Sequence, residues 1–253
     1  MERNSEKIKK CKRKETRKVK RARLLIDVLS LFPNMCNGPL HESIIGKALS
    51  AGIIDVKLHN IRDYAEGKHK ITDDRPYGGG PGMVMKPEPI YNAVSVLRKK
   101  KTKVILLTPE GETFCQPCAE ELSKETHLIF ICGHYEGFDE RVKSVVDKEI
   151  SIGDYVLTNG ALAAMVVVDT VARLIPGVVG CEESIKQDSF SDALLDWPHY
   201  TRPEVFRGEK VPRVLLSGDH KKIESWRRQQ AIKRTVEKEN KLNISVKRRN
   251  KTI

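Results

Sequence analysis

The residues best suited to chemistry in this sequence are few. They are the ionisable side chains Arg173, Asp188, Glu136, Asp154 and Asp169, the pair Cys115-x-x-Cys118, and the glycine-rich stretch DDRPYGGGPGMVM at 73–85. Arg173 follows ten residues whose only charge is Asp169, which gives it a half-buried setting. Asp169 also stands four residues before it, the spacing of an ordinary ion pair on a helix face. Asp188 lies in a polar segment, where a solvated or capping aspartate is the ordinary reading. The two cysteines have the spacing of half a zinc site, but no second pair or spaced histidine accompanies them, so they read as plain structure. His134 and His199 are equally unsupported as metal ligands.

The glycine stretch invites two phosphate readings, and both fail. A Walker loop ends in Gly-Lys-Ser/Thr, which does not follow Gly82. A dinucleotide fingerprint starting at Gly78 needs glycine where Met83 stands, and it needs an apolar strand where the chain is polar. Two readings stay open: a tight surface turn, or a bare backbone (Gly78, Gly79, Gly80, Gly82) that lets a flat ligand approach closely.

Three further loops carry glycine: TPEG (108–111), CGHYEG (132–137) and SIGDYVLTNG (151–160). The first two follow apolar strand-like runs, and the third ends the strand-like run 148–157. In an open α/β sheet, ligands bind beyond the carboxyl ends of the strands. None of the three loops contains Lys or Arg, which disfavours a nucleoside triphosphate. They suit an adenosine-like ligand held by backbone groups and apolar contacts.

The elements that would position these loops alternate. Buried strands are expected at 24–32, 103–109 and 127–133, an alternating strand at 53–61, and a strand and loop at 148–157. Helices are expected at 41–52, 86–101, 115–125, 137–147 and 160–177. Nearly continuous apolar strands separated by helices predict an α/β domain with a mostly parallel sheet covered on both faces. Residues 181–196 read as a linker, 197–220 as irregular, and 221–240 as a basic helix with Ile223, Trp226, Ile232 and Val236 on or near one side.

The chain has 253 residues, 39% hydrophobic and 32% charged, with a net charge of +12. The charge is concentrated at the ends. Residues 1–23 hold 12 Lys/Arg against 3 acids, residues 221–253 hold 12 against 3, and the middle is net −6. A basic head, expected to be disordered, and a basic tail around a mildly acidic centre form an electrostatic footprint for a polyanion. No apolar run approaches a membrane span, and six scattered cysteines fit a reduced, cytoplasmic protein.

In order along the chain, SLFP, TDDRPYGGGPGMVM, CGHYEGFDERV, SIGDYVLTNG, VARLIPGV, DSF, LLDWPHYTRPEVFRG and VPRVLLSGDH resemble the bacterial tRNA (guanine-N1)-methyltransferase family, over about residues 24–234. The resemblance implies a knotted methyltransferase domain of the trefoil-knot (SPOUT) class over 24–180, a linker over 181–196, a small helical tRNA-binding domain over 197–253, and a homodimer. It implies methyl transfer from S-adenosylmethionine to N1 of guanine 37 in a tRNA with guanine at positions 36 and 37. The family's cofactor loops map onto Thr108, Pro109, Gly133, Tyr135, Glu136, Ser151, Ile152, Gly153, Tyr155, Leu157 and Gly160. Its catalytic aspartate and arginine map onto Asp188 and Arg173, and the site would join Asp188 of one subunit to the cofactor loops of the other. Gly78, Gly79 and Gly80 would make room for the target purine, and Glu136 is associated with magnesium. One departure stands out: where the family has TGGELPAM this chain has TNGALAAM, with Asn159, Ala161 and Ala163 in place of Gly, Glu and Pro. The alternative it raises is a tRNA-binding protein of the same fold with weak or lost transfer.

Overall fold

The computed structural model describes residues 24–180, 188–190 and 194–249. The basic head and most of 181–193 lie outside the described residues. The chain divides into two compact units, one up to Glu182 and one from Glu183 onward.

The first unit runs β1 (Leu24–Ser30), a 3-10 turn (Pro33–Cys36), α1 (Asn37–His41), α2 (Ser43–Ser50), β2 (Ile54–Asn60) and a second 3-10 turn (Ile61–Tyr64). A short hairpin of β3 (Asp73–Asp74) and β4 (Val84–Met85) follows, then α3 (Pro87–Leu97), β5 (Thr102–Thr113), α4 (Gln116–Leu122) and β6 (His127–Cys132). A third 3-10 turn (Glu140–Val145), β7 (Lys148–Ser151) and α5 (Ala161–Ala172) complete it. Five strands form one sheet in the order β2-β1-β6-β5-β7, all neighbours parallel.

The strands are apolar throughout because both faces are covered. Ile26, Val28, Leu128 and Phe130 point to a core layer shared with Val167, Val168 and Val171 of α5. Leu29, Ile129, Ile131, Val104 and Leu106 point to the opposite layer with Ile90, Ala93 and Val94 of α3. This is the alternation of side chains along a strand, with apolar residues required on each side.

One polar cluster interrupts this core. Asp27, only 6% exposed, accepts hydrogen bonds from His59 Nε2 (2.7 Å) and His127 Nε2 (2.6 Å). Tyr64 Oη and Thr102 Oγ1 bond the remaining ring nitrogens at 2.9 and 2.7 Å. The cluster ties β1, β2 and β6 together. Burial pushes the Asp27 carboxyl up, but the hydrogen bonds and charge of the two histidines outweigh it and leave the group below its ordinary value.

Several local expectations need correction. The strand expected to stop at 109 continues to Thr113, with TPEG as a bulge inside it: both Leu107 and Glu112 pair with Ile150. A Cβ on Gly111 would lie 2.4 Å from Ile150 N, so the bulge requires a glycine. The helix expected at 137–147 is only the 3-10 turn, opened by Asp139 accepting from Arg141 N. The strand and loop expected at 148–157 do form, with the strand ending at Ser151.

The second unit contains β8 (Val205–Phe206), β9 (Glu209–Lys210), α6 (Arg213–Leu216) and α7 (His220–Arg249). The irregular 197–220 segment therefore holds a hairpin, turned by Arg207 (φ 51°) and Gly208 (φ 87°), both in the region that two-residue hairpins demand. On α7 the inward positions are Ile223, Trp226, Ala231 and Thr235, while Ile232 and Val236 are exposed. The segment 195–200 meets this face: Leu195 N donates to Thr235 Oγ1 (2.9 Å), and Arg227 stacks on Trp197 with its guanidinium 5.0 Å from the ring centre. Among the described residues no helix is long and apolar enough to cross a membrane.

Candidate functional site

The carboxyl ends of β5, β6 and β7 open into a cavity of about 420 Å³. Its walls are the TPEG bulge, the 133–140 segment and the 150–160 loop. Thr108, Pro109, Gly133, Tyr135, Glu136, Ser151, Ile152, Gly153, Tyr155, Leu157 and Gly160 all line it. Residues up to 52 positions apart in the chain thus meet in one place because parallel strands end on the same side of the sheet.

Each wall is shaped by backbone that tolerates no bulk. Gly160 N donates to Gly133 O (2.8 Å), and a Cβ on Gly160 would lie 2.9 Å from both Cys132 Cα and Gly133 N. A Cβ on Gly153 would strike the Tyr155 ring at 2.6 Å. Tyr155 N donates to Gly153 O (2.9 Å), and Gly153 N donates to Ser151 Oγ (3.3 Å). Tyr135 takes a positive φ of 56°, and His134 packs edge-on against its ring at 4.5 Å while also meeting Phe32 at 5.0 Å. His134 Nδ1 is buried with no hydrogen-bond partner among the described residues.

The departures at 159, 161 and 163 serve the start of α5. Asn159 Oδ1 accepts from Ala161 N at 2.9 Å, satisfying an N–H that the helix leaves open. Ala161 and Ala163 are buried in the same helix, and Asn159 and Ala163 also line the cavity.

The rim is acidic, which the loop sequences alone did not reveal. Glu110, Glu136, Asp139 and Glu140 line the cavity, with Lys143 its only lysine or arginine among the described residues. Lys143 enters from the 3-10 turn and meets Glu140 (2.8 Å), Glu110 (3.0 Å) and Glu149 (3.7 Å), so its charge is committed to neighbouring carboxylates. The hydrogen-bonded Arg141 guanidinium holds the Asp139 carboxyl below the usual range. A net negative mouth suits a cationic ligand. Among the described residues no group of three or more His, Cys, Asp or Glu could hold a metal ion, so the magnesium expectation on Glu136 gains no ligand set.

The glycine hairpin shares a wall with this cavity. Glu136 N donates to Met83 O (3.1 Å), Met85 N to Gly137 O (2.9 Å) and Asp139 N to Met85 O (2.9 Å). Gly78, Gly79, Gly80 and Gly82 have φ of 85°, 78°, 121° and 81°. A Cβ at Gly78, Gly79 or Gly80 would meet nothing within 4 Å, so there the turn's left-handed backbone, not crowding, demands glycine.

Gly78–Gly80 and Arg173 do not line the cavity. Arg173, expected in a half-buried setting, is instead exposed at the C-terminal cap of α5, its N–H donating to Asp169 O at 3.1 Å. Asp188, partly exposed, belongs to the second unit.

Comparison with known proteins places the chain in a family. Residues 24–245 match the family described as tRNA (Guanine-1)-methyltransferase TrmD. The chain belongs to the tRNA (guanine-1)-methyltransferase family. Members similar to it include tRNA (guanine-N(1)-)-methyltransferases of Dictyoglomus turgidum (55% identical over 212 residues, covering 84% of this chain and 86% of the relative) and Carboxydothermus hydrogenoformans (57% over 212 residues, 83% and 84%). That of Anoxybacillus flavithermus is 58% identical over 214 residues, covering 83% and 87%. Against this family the cavity's charged rim and the Asp27 cluster are the features that sequence reading missed. The rim offered a signal in the charges of EGFDERVK, whereas the cluster joins residues 32 and 100 positions apart and offered none.

Proposed function

We propose that this chain methylates N1 of guanine 37 in tRNA, using S-adenosylmethionine as donor. The observation that carries the reading is the convergence of every cofactor-loop residue on one cavity, in a chain of this family. Its volume of about 420 Å³ falls in the range of roughly 300–1,000 Å³ typical of small-molecule sites.

The glycine-lined walls leave backbone groups and the apolar Leu106, Ile152 and Leu157 to hold an adenosine, and the acidic rim favours a cation. When bound, S-adenosylmethionine supplies an electrophilic methyl group on a positively charged sulfur. Guanine N1 carries a proton and is a poor nucleophile until it leaves. Asp188 is the general base that takes this proton. Arg173 donates to O6, where negative charge then gathers. The hairpin of Gly78–Gly80 lies on the RNA side of the site, beside the purine.

We further read the protein as a cytoplasmic homodimer with a knotted chain path. The path reading rests on the 152–160 loop returning across the end of β6, where Gly160 bonds Gly133. The dimer reading is supported by the outer face of α5, where Leu162 and Val166 are 44% and 47% exposed beside Asp169 and Arg173. The second unit, with its basic α7, is read as the tRNA-gripping domain.

The test is incubation with labelled S-adenosylmethionine and a tRNA carrying guanine at 36 and 37, with the product mapped by mass spectrometry. A methyl group on N1 of guanine 37 is expected. Its absence at saturating cofactor would overturn the transferase reading.

A further inference from the structure

A second cavity, of about 670 Å³, lies in the first unit between the 66–71 turn and the start of α3. Its lining carries four cations, Lys68, Lys70, Lys86 and Arg141, against two carboxylates, Glu66 and Glu88. The 420 Å³ cavity has the opposite balance. The two cavities adjoin: Asp139 and Glu140 line the acidic one, and the next residue, Arg141, lines the basic one. Consecutive Cα atoms are about 3.8 Å apart, so the change of sign takes place across one peptide unit.

The glycine hairpin also stands on this groove. Asp73 pairs with Met85, and Lys86 N donates to Thr72 O at 2.8 Å, which puts Lys86 at the foot of the hairpin whose tip holds Gly78–Gly82.

The three lysines are weakly committed. Lys70 meets Asp63 at 3.3 Å with both side chains more than half exposed, and Lys86 reaches Glu88 only at 4.0 Å. Surface pairs of this kind contribute little and exchange readily. Lys68 forms no ion pair among the described residues. Arg141 spends Nε and Nη2 on Asp139, which leaves N–H donors of its five for another acceptor. Lys70 also adopts a φ of 47°, a conformation uncommon for a residue with a side chain.

We propose that this basic groove is a track for the phosphodiester backbone of the RNA strand bearing the target guanine, receiving phosphates next to the base that enters the acidic cavity. The acidic mouth repels phosphate and the groove attracts it, so together they set which part of the strand enters: a neutral base in one, its charged backbone in the other. The inference rests on the tRNA-methylating reading above.

The test uses the full chain and its K68Q/K70Q variant. Both substitutions remove charge at exposed positions of the basic groove and leave the hairpin and the walls of the acidic cavity untouched. Binding of a whole tRNA is measured over a salt series, with cofactor affinity read by calorimetry and folding by thermal melting. Each neutralised phosphate contributes about 0.7–0.9 to the slope of log affinity against log salt. The variant is expected to lose about 1–2 from that slope and to bind tRNA about tenfold more weakly at low salt, with cofactor affinity and melting unchanged. The same loss is expected for a tRNA lacking guanine 37, because phosphate contacts carry no sequence information. An unchanged slope in a folded variant overturns the track even if the wild type methylates guanine 37. Failure of the wild type to bind or methylate tRNA is a distinct result and removes the underlying reading with it.

Discussion

Gly82 and Glu136 are in contact so close that a Cβ on Gly82 would lie 2.5 Å from both Cγ and Oε1 of Glu136. The glycine hairpin and the wall of the acidic cavity are therefore one packed unit, and a change in the hairpin reaches the cavity directly. Gly82 is also held at a φ of 81°.

Replacing Gly82 by alanine imposes two penalties: a left-handed backbone on a residue with a Cβ, at about 1 kcal/mol, and displacement of the Glu136 side chain. S-adenosylmethionine binding is expected to weaken about three- to tenfold, read by calorimetric titration. Gly78→Ala carries the backbone penalty alone and should leave cofactor affinity near wild type. Equal effects of the two variants would break the link between Gly82 and the cavity.

Gly160→Ala should be more severe than Gly82→Ala. Its Cβ would meet backbone atoms of Cys132 and Gly133, and backbone at the end of a central strand cannot swing aside as a glutamate can. Overpacking of this kind costs about 1–3 kcal/mol. The expected result is a lower melting temperature of the first unit together with loss of cofactor binding. A stable variant with normal affinity would show that the 152–160 loop can move off β6.

Asp188→Asn removes the proposed base while keeping size and polarity. Single-turnover methyl transfer should slow by about 10²–10⁴ with cofactor affinity nearly intact. Arg173→Lys keeps the charge but loses the planar fork, and about 10²-fold slowing is expected. Retained turnover in Asp188→Asn would strip that residue of its assigned role.

Asp27 should make the acid side of the stability curve steep. Its carboxyl is depressed below the ordinary value of 3.8, so its contribution is fully present above that value and is lost as pH falls through the lower, folded one. Asp27→Asn should cost about 2–4 kcal/mol at neutral pH, since the two histidines lose a charged acceptor in the core. The gap between wild type and variant should narrow below about pH 4. Hydrogen exchange of β1 and β6 amides is the appropriate readout, because Trp197 and Trp226 both report on the second unit. A gap independent of pH would mean that the charge on Asp27 contributes nothing.

Much of the architecture was legible because it rests on local patterns. Continuous apolar strands between helices dictate a parallel sheet with two covered faces, and the glycine loops after 107, 132 and 151 already mark the walls of the 420 Å³ cavity. Legibility failed where a long-range contact set the local geometry. TPEG reads as a loop after a strand, yet pairing with Ile150 makes it a bulge within one. Residues 137–147 have a helical look, yet Asp139 and the hydrogen bonds to Met85 hold them to a 3-10 turn. Ile232 and Val236 are expected on or near one side with Trp226, but they stand six and ten residues beyond it, which turns them away from the side on which the segment 195–200 packs.

The sequence by itself determined the sheet, the loops at its carboxyl edge and the glycines of the hairpin, since periodicity, apolar runs and positive φ are properties of short stretches. Tertiary structure alone decided which charges share a wall: Lys143 among three glutamates, Asp27 between two histidines, and an acidic cavity one residue away from a basic groove. Electrostatic neighbours are set by distance in space, and apart from local pairs such as Glu140 and Lys143 the folded chain brings together residues whose spacing in sequence carries no trace of the encounter.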